Sequence, residues 1–153
     1  MYCANGQPEL ATDHYHKAIA LQPDYAEVYY GLANNYQTQK QFDTAIHYYQ
    51  KALDIQPNNP EICNNLGTAL YEQGNVAAAI SCYKHVLKID PMHKEVYNNL
   101  GNALQATGKY DEAIACYHQA LDRYKHPQTW LNLGNTLRKI GKPQQAVECY
   151  QSA

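Results

Sequence analysis

Phenylalanine and tryptophan occur once each and methionine only twice in these 153 residues. The aromatic content therefore rests almost wholly on another residue type. An excess of either charge is also missing: 12 basic residues against 14 acidic ones leave a formal net charge of -2. Binding to a phosphate backbone needs clustered lysine and arginine, and here they are scattered, so nucleic acid is not an expected partner. No run of about 18 apolar residues exists, so no membrane-spanning helix is expected. The opening Met1-Tyr2-Cys3-Ala4-Asn5-Gly6 has neither the basic nor the apolar stretch of a secretion signal. Five cysteines, an odd number with no Cys-x-x-Cys pair, suit a reduced, cytoplasmic setting better than a disulfide framework.

The signatures of catalysis are absent too. There is no glycine-rich phosphate loop, nucleophile elbow or carboxylate pair placed for acid–base work. The seven histidines follow no metal-ligand spacing; His14 and His16, two apart, fall on different faces of a helix. Cys82, Cys116 and Cys149 are separated by 34 and 33 residues, which makes them one structural position repeated. Neighbouring helices stand about 8–10 Å apart, beyond disulfide reach. The expectation is therefore no enzyme, no cofactor and no metal.

What the chain does have is tyrosine, 15 in all. With a mean hydropathy of -0.62, this composition fits a thin structure whose core is never far from water, because tyrosine joins an apolar body to a polar tip. The tyrosines are also periodic. Tyr15, Tyr49, Tyr83 and Tyr117 are each 34 apart, and Tyr150 follows at 33. Ala11, Ala45, Ala79, Ala113 and Ala146 repeat the spacing, as do Ala18, Ala52, Val86, Ala120 and Ala153. Leu32, Leu66, Leu100 and Leu133 form another column, each followed by Ala33, Gly67, Gly101 or Gly134. A fixed period of this length is the mark of a stacked repeat.

Within one period the apolar spacing is helical twice over. Cys63, Leu66, Gly67 and Leu70 share one helix face; Ala79, Ile80, Tyr83, Val86 and Leu87 share another. Gly74, Gly108 and Gly141 lie between the two helices and predict left-handed caps, while Pro23, Pro57 and Pro91 close the units. Gly67 opposite Ala79, and Gly101 opposite Ala113, predict a close approach of the paired backbones. The expected organisation is all-α: a partial repeat over 1–25, repeats over 26–59, 60–93 and 94–126, and a truncated one over 127–153. The tail of a first helix is expected before the second helix of the first unit, and a chain cut at both ends is expected to come from a longer array, its bare ends free for end-to-end self-association.

Trp130, Leu133, Gly134, Leu137, Gly141, Ala146 and Tyr150 carry, in the last unit, a pattern that resembles the tetratricopeptide repeat. The resemblance covers essentially the whole chain. It implies a right-handed α-solenoid of antiparallel helix hairpins, about four and a half repeats long, with a concave groove lined by the first helix of each hairpin. One junction departs from the family pattern: residues 122–127 are one residue short, and Arg123 stands where Leu21, Ile55 and Ile89 sit elsewhere. Less regular packing is expected there.

On the first helices the face away from the leucine–glycine column is polar and also repeats. It reads Glu61, Asn64, Asn65, Thr68 and Glu72, then Glu95, Asn98, Asn99 and Asn102, then Gln128, Leu131, Asn132 and Asn135. Carboxamides carry both donors and acceptors, so the columns Asn65, Asn99, Asn132 and Asn34, Thr68, Asn102, Asn135 are suited to the main chain of an extended partner. The first of these is similar to the asparagine ladder of the O-linked N-acetylglucosamine transferase repeats, broken here by Gly31. The carboxylate clamp of heat-shock co-chaperones fits less well: its slots hold Tyr30, Asn34, Asn65, Glu95 and Asn99, without the three cations. Glu61, Glu72 and Glu95 against Arg138 and Lys139 predict a groove acidic in its middle and basic toward its end. The function expected is protein–protein interaction with a peptide or protein segment. The alternatives are the substrate-recognition arm of a larger enzyme, such as a glycosyltransferase, and a self-assembling scaffold.

Overall fold

The structure, a computed structural model, describes residues 8–153. The expected tail of a first helix before the opening unit falls outside the described residues. Among the described residues there are nine α-helices and no strand: α1 (Pro8–Leu21), α2 (Ala26–Thr38), α3 (Phe42–Ile55), α4 (Pro60–Gln73), α5 (Val76–Ile89), α6 (Val96–Ala106), α7 (Tyr110–Arg123), α8 (Pro127–Lys139) and α9 (Pro143–Gln151). The chain divides into two compact units, Met1–Asn75 and Val76–Ala153. In the first, α1 packs on α2, α2 on α3 and α3 on α4; in the second, α5 packs on α6 and so on to α9.

Local sequence sets the helix ends. Asn59 caps α4 by accepting from the backbone N–H of Glu61 and Ile62 at 3.1 and 3.2 Å, with Pro60 in the first helical position. His126 does the same for α8, its Nδ1 accepting from the Gln128 N–H at 3.1 Å ahead of Pro127. Both arrangements satisfy backbone donors that a helix start leaves without partners. At the turn inside each hairpin Gly74, Gly108 and Gly141 take φ of 95°, 76° and 79°. The repeat-equivalent residue of the hairpin formed by α2 and α3 is Lys40, which takes φ of 60° with a side chain attached. Left-handed backbone disfavours a Cβ, so this hairpin carries local strain that its neighbours avoid.

The cores are thin and built on the repeat columns. In the first unit Leu32, Ala33, Ala45, Tyr49 and Ala52 have no exposed surface; in the second the same holds for Ala79, Val86, Val96, Ala103, Ala113 and Tyr117. The small residues act differently from expectation. A Cβ on Gly101 would lie 2.6 Å from Cε1 of Tyr117, and one on Gly134 would lie 2.5 Å from Cε1 of Tyr150. The glycine therefore makes room for the tyrosine ring of its own hairpin.

The junction at 122–127 is more orderly than its sequence suggests. The Arg123 guanidinium lies 4.5 Å from the centroid of the Tyr97 ring, and Nη1 donates to the carbonyl and side-chain oxygens of Gln119, both at 2.8 Å. The guanidinium is thus held as a cation over an aromatic face.

Candidate functional site

The carboxamides of the first helices are held by two sets of hydrogen bonds. The first comes from the buried tyrosines of the second helices. Tyr117 Oη donates to Asn102 Oδ1 at 2.8 Å and lies 3.1 Å from Gln105 Oε1. Tyr150 Oη donates to Asn135 Oδ1 at 2.9 Å, and Tyr49 Oη reaches both Asn34 Oδ1 and Gln37 Oε1. The second set links successive first helices. Asn65 Nδ2 donates to Tyr30 Oη at 2.8 Å and to Asn34 Oδ1 at 3.3 Å, joining α4 to α2. Asn132 Nδ2 donates to Asn102 Oδ1 at 2.9 Å and to Asn98 Oδ1 at 3.3 Å, joining α8 to α6. Asn132 Oδ1 in turn accepts from Gln128 Nε2 at 3.0 Å.

The two asparagine columns thus have different free valences. Asn65 and Asn132 have given both amide protons to the neighbouring helix. Asn34 and Asn102 have each taken two donors on oxygen and Asn135 one, and their –NH2 groups meet no acceptor among the described residues. Thr68, the counterpart in α4, turns its hydroxyl to the Asn64 carbonyl at 3.2 Å.

One position needs correction. The sequence pattern puts Asn64 on the accessible stripe, but its exposure is 2%. Adjacent helix positions point about 100° apart; Asn65 takes the open direction, and Asn64 is turned into the packing surface of α4. Asn98, its counterpart, is half-buried.

Two clefts of equivalent build lie beside these networks. In the first unit Glu27, Tyr30, Gln56, Asn59, Glu61 and Ile62 line a cleft of about 220 Å³ between the N-terminal turns of α2 and α4. In the second unit Lys94, Glu95, Asn98, Asn99, Tyr124, His126, Gln128 and Thr129 contribute to one of about 270 Å³ between α6 and α8. Glu61, Glu95, Asn98 and Asn99 were expected on this face. Tyr124 and His126 carried no signal: they come from the irregular junction, where the repeat columns give no guidance. Glu61 sits in the first turn of α4 and Glu95 at the cap of α6, whereas Arg138 and Lys139 close α8. Each charge is where the helix dipole favours it, so they are separated along the helix axes as well as along the repeats.

Cysteine chemistry is muted. Burial, with a contribution from Glu112 opposed by Lys84, pushes the Cys116 thiol up to about 11, and burial raises Cys63 and Cys149. Cys63, Cys116 and Cys149 are free thiols. Among the described residues no group of three His, Cys, Asp or Glu is arranged to hold a metal ion, and no helix is long and apolar enough to cross a membrane.

Paired helices of fixed period, with polar side chains of successive first helices tied to one another, define a helical-hairpin repeat protein. A tetratricopeptide repeat profile matches residues 1–58 and 95–153, and a second matches residues 36–100; the chain belongs to the tetratricopeptide repeat family. Several solved structures share the fold. MamA from Desulfovibrio magneticus RS-1, residue 41 to its end, is 18% identical with a TM-score of 0.91, over 97% of this chain and 85% of that one. PilF of Pseudomonas aeruginosa is 26% identical with a TM-score of 0.89, over 99% of this chain and 69% of that one. YrrB, described as a TPR protein with an unusual peptide-binding site, is 23% identical with a TM-score of 0.82, over 98% and 78%. No curated protein matches the sequence. Tetratricopeptide folds are typically non-catalytic interaction modules.

Proposed function

We propose that the chain is a protein-binding module that holds an extended segment of a partner against its first helices. The observation that carries this reading is the state of the carboxamides. At Asn34, Asn102 and Asn135 the oxygen accepts from a second-helix tyrosine, which leaves the –NH2 end as the donor for a partner. Donors at equivalent positions of a repeat suit the carbonyls of a peptide main chain, and a side chain already held loses little entropy on binding. Asn98 and the clefts take side chains. Main-chain recognition tolerates varied sequence; the charges at Glu61, Glu95 and Arg138 then bias which segments bind.

The likeness to the glycosyltransferase ladder concerns the column Asn65, Asn99, Asn132. In this chain Asn65 and Asn132 tie first helices together, and the neighbouring column supplies the open donors. Both columns serve the reading, one by holding the helices in register and the other by meeting the peptide. The test is selection of binding peptides from a random displayed library, followed by comparison of the intact chain with the double variant Asn102→Ala, Asn135→Ala. The proposal expects the selected peptides to lose at least about tenfold in affinity. Equal affinity in a folded double variant would remove these groups from the mechanism.

A further inference from the structure

Next to the buried tyrosine column runs a second repeat position, occupied by Tyr48, Cys82, Cys116 and Cys149. In the unit Met1–Asn75 a ring fills it. Tyr48 stacks on Tyr36 with centroids 5.6 Å apart and planes within 4°, and lies 6.5 Å from Tyr29. His47 and His16 meet it edge-on at 5.2 and 6.2 Å. In the unit Val76–Ala153 the repeat counterparts are Cys149 for Tyr48, Leu137 for Tyr36, Trp130 for Tyr29, Glu148 for His47 and His118 for His16. The aromatic floor is kept by Trp130, but the ring that covers it is gone.

What remains is a pocket of about 520 Å³ between α7, α8 and α9. Ile114, Trp130, Leu133, Leu137 and Cys149 line it, with Asp111, His118, Lys142 and Glu148 among the polar residues around them. It shares no residue with the cleft between α6 and α8. Leu133, Leu137 and Cys149 are buried, so the apolar surface left in the pocket is that of Trp130 and Ile114, and aromatic anchors seated in such pockets dominate protein interfaces.

We propose that this pocket is a second docking site, outside the first-helix face, that takes a tyrosine side chain of a partner protein. The occupant is indicated by the chain itself: at the repeat-equivalent positions of the first unit, rings of Tyr36, Tyr29, His47 and His16 pack against the half-buried phenol of Tyr48. Two carboxylates, Asp111 and Glu148, surround the pocket with one ammonium, Lys142, so a basic residue beside the partner's tyrosine completes the match.

Trp130, the chain's single tryptophan, reports on the pocket from within. The intact chain is titrated with acetyl-Arg-Tyr-Arg-amide while tryptophan emission is followed, with acetyl-Arg-Ala-Arg-amide as control. The tyrosine peptide is expected to give a saturable change and the alanine peptide none. Cys149→Tyr, which rebuilds the Tyr48 arrangement, is expected to weaken the tyrosine peptide by about tenfold. Asp111→Lys, at an exposed position, is expected to weaken it by about threefold and stands in if Cys149→Tyr does not fold. Asn102→Ala with Asn135→Ala is expected to leave this titration unaltered, which separates it from groove binding. The absence of a tyrosine-dependent change would overturn the proposal. So would unchanged affinity in folded Cys149→Tyr, or in Asp111→Lys where the former does not fold, and so would loss of the signal in the asparagine double variant.

Discussion

Tyr117, with no exposed surface, donates its phenolic proton across 2.8 Å to the side-chain oxygen of Asn102 on the facing helix. A core residue thereby fixes the direction of a surface amide. The same link joins Tyr150 to Asn135 and Tyr49 to Asn34, so packing and recognition share one set of side chains. Removing only the hydroxyl separates the two roles. Tyr117→Phe is expected to lower stability by about 0.5–1.5 kcal/mol, the net worth of one hydrogen bond, and to let the Asn102 amide rotate. Side-chain amide NMR signals of Asn102 that stay unchanged in the variant would contradict the link.

The glycine column should respond unequally to a methyl group. At Gly101 the added Cβ meets a ring that is wholly buried, whereas at Gly134 it meets Tyr150, which is 36% exposed and has space to swing away. Gly101→Ala is expected to cost about 1–3 kcal/mol by overpacking, and Gly134→Ala distinctly less. Urea unfolding of the two variants checks this. Equal losses would mean that burial of the ring does not decide the cost.

Lys40 occupies the turn position that glycine holds in the following hairpins, with φ of 60°. Lys40→Gly removes a Cβ from left-handed backbone but loosens the unfolded chain. The net expectation is a gain of about 0.5–1 kcal/mol, read as a higher thermal midpoint. A lower midpoint would show that the lysine side chain contributes more than the strain costs.

Burial holds Cys116 up at about 11 and pushes Tyr49 above the usual phenol range, with Tyr30 adding to the effect. In both cases the folded state favours the neutral form, so the unfolded chain ionises first. The contribution of Cys116 to stability is complete below about pH 9 and is lost as the pH rises through 11; that of Tyr49 begins to be lost above pH 10 and persists to higher pH. Denaturant midpoints are expected to agree at pH 7 and 8 and to fall at pH 10.5. A midpoint that holds at pH 10.5 would show that these groups are already solvated in the folded chain.

The hairpins were legible in the sequence because period, turn and column agree: glycine at 74, 108 and 141, proline at 57 and 91, and tyrosine every 34 or 33 residues mark the same boundaries from independent physics. The polar face was legible as a stripe but not as a network. Helical spacing puts Asn64 and Asn65 side by side, yet only packing against the preceding hairpin decides that one is buried and the other bridges to α2. Of the tyrosine column Tyr49, Tyr83 and Tyr117 are core and Tyr150 is exposed; that the hydroxyls of Tyr49, Tyr117 and Tyr150 reach Asn34, Asn102 and Asn135 depends on ring length across the helix pair, which no single-helix pattern contains. The glycine's partner escaped for the same reason. Arg123 looked like a defect because its compensation, the Tyr97 ring, belongs to another helix.

The most direct test is a ¹⁵N NMR titration of the intact chain with a library-selected peptide, following the side-chain –NH2 pairs of the asparagines. The Asn102 and Asn135 pairs are expected to shift with one common saturation curve, while that of Asn132, already bonded to α6, moves little. Saturable binding that leaves Asn102 and Asn135 in place would contradict the reading.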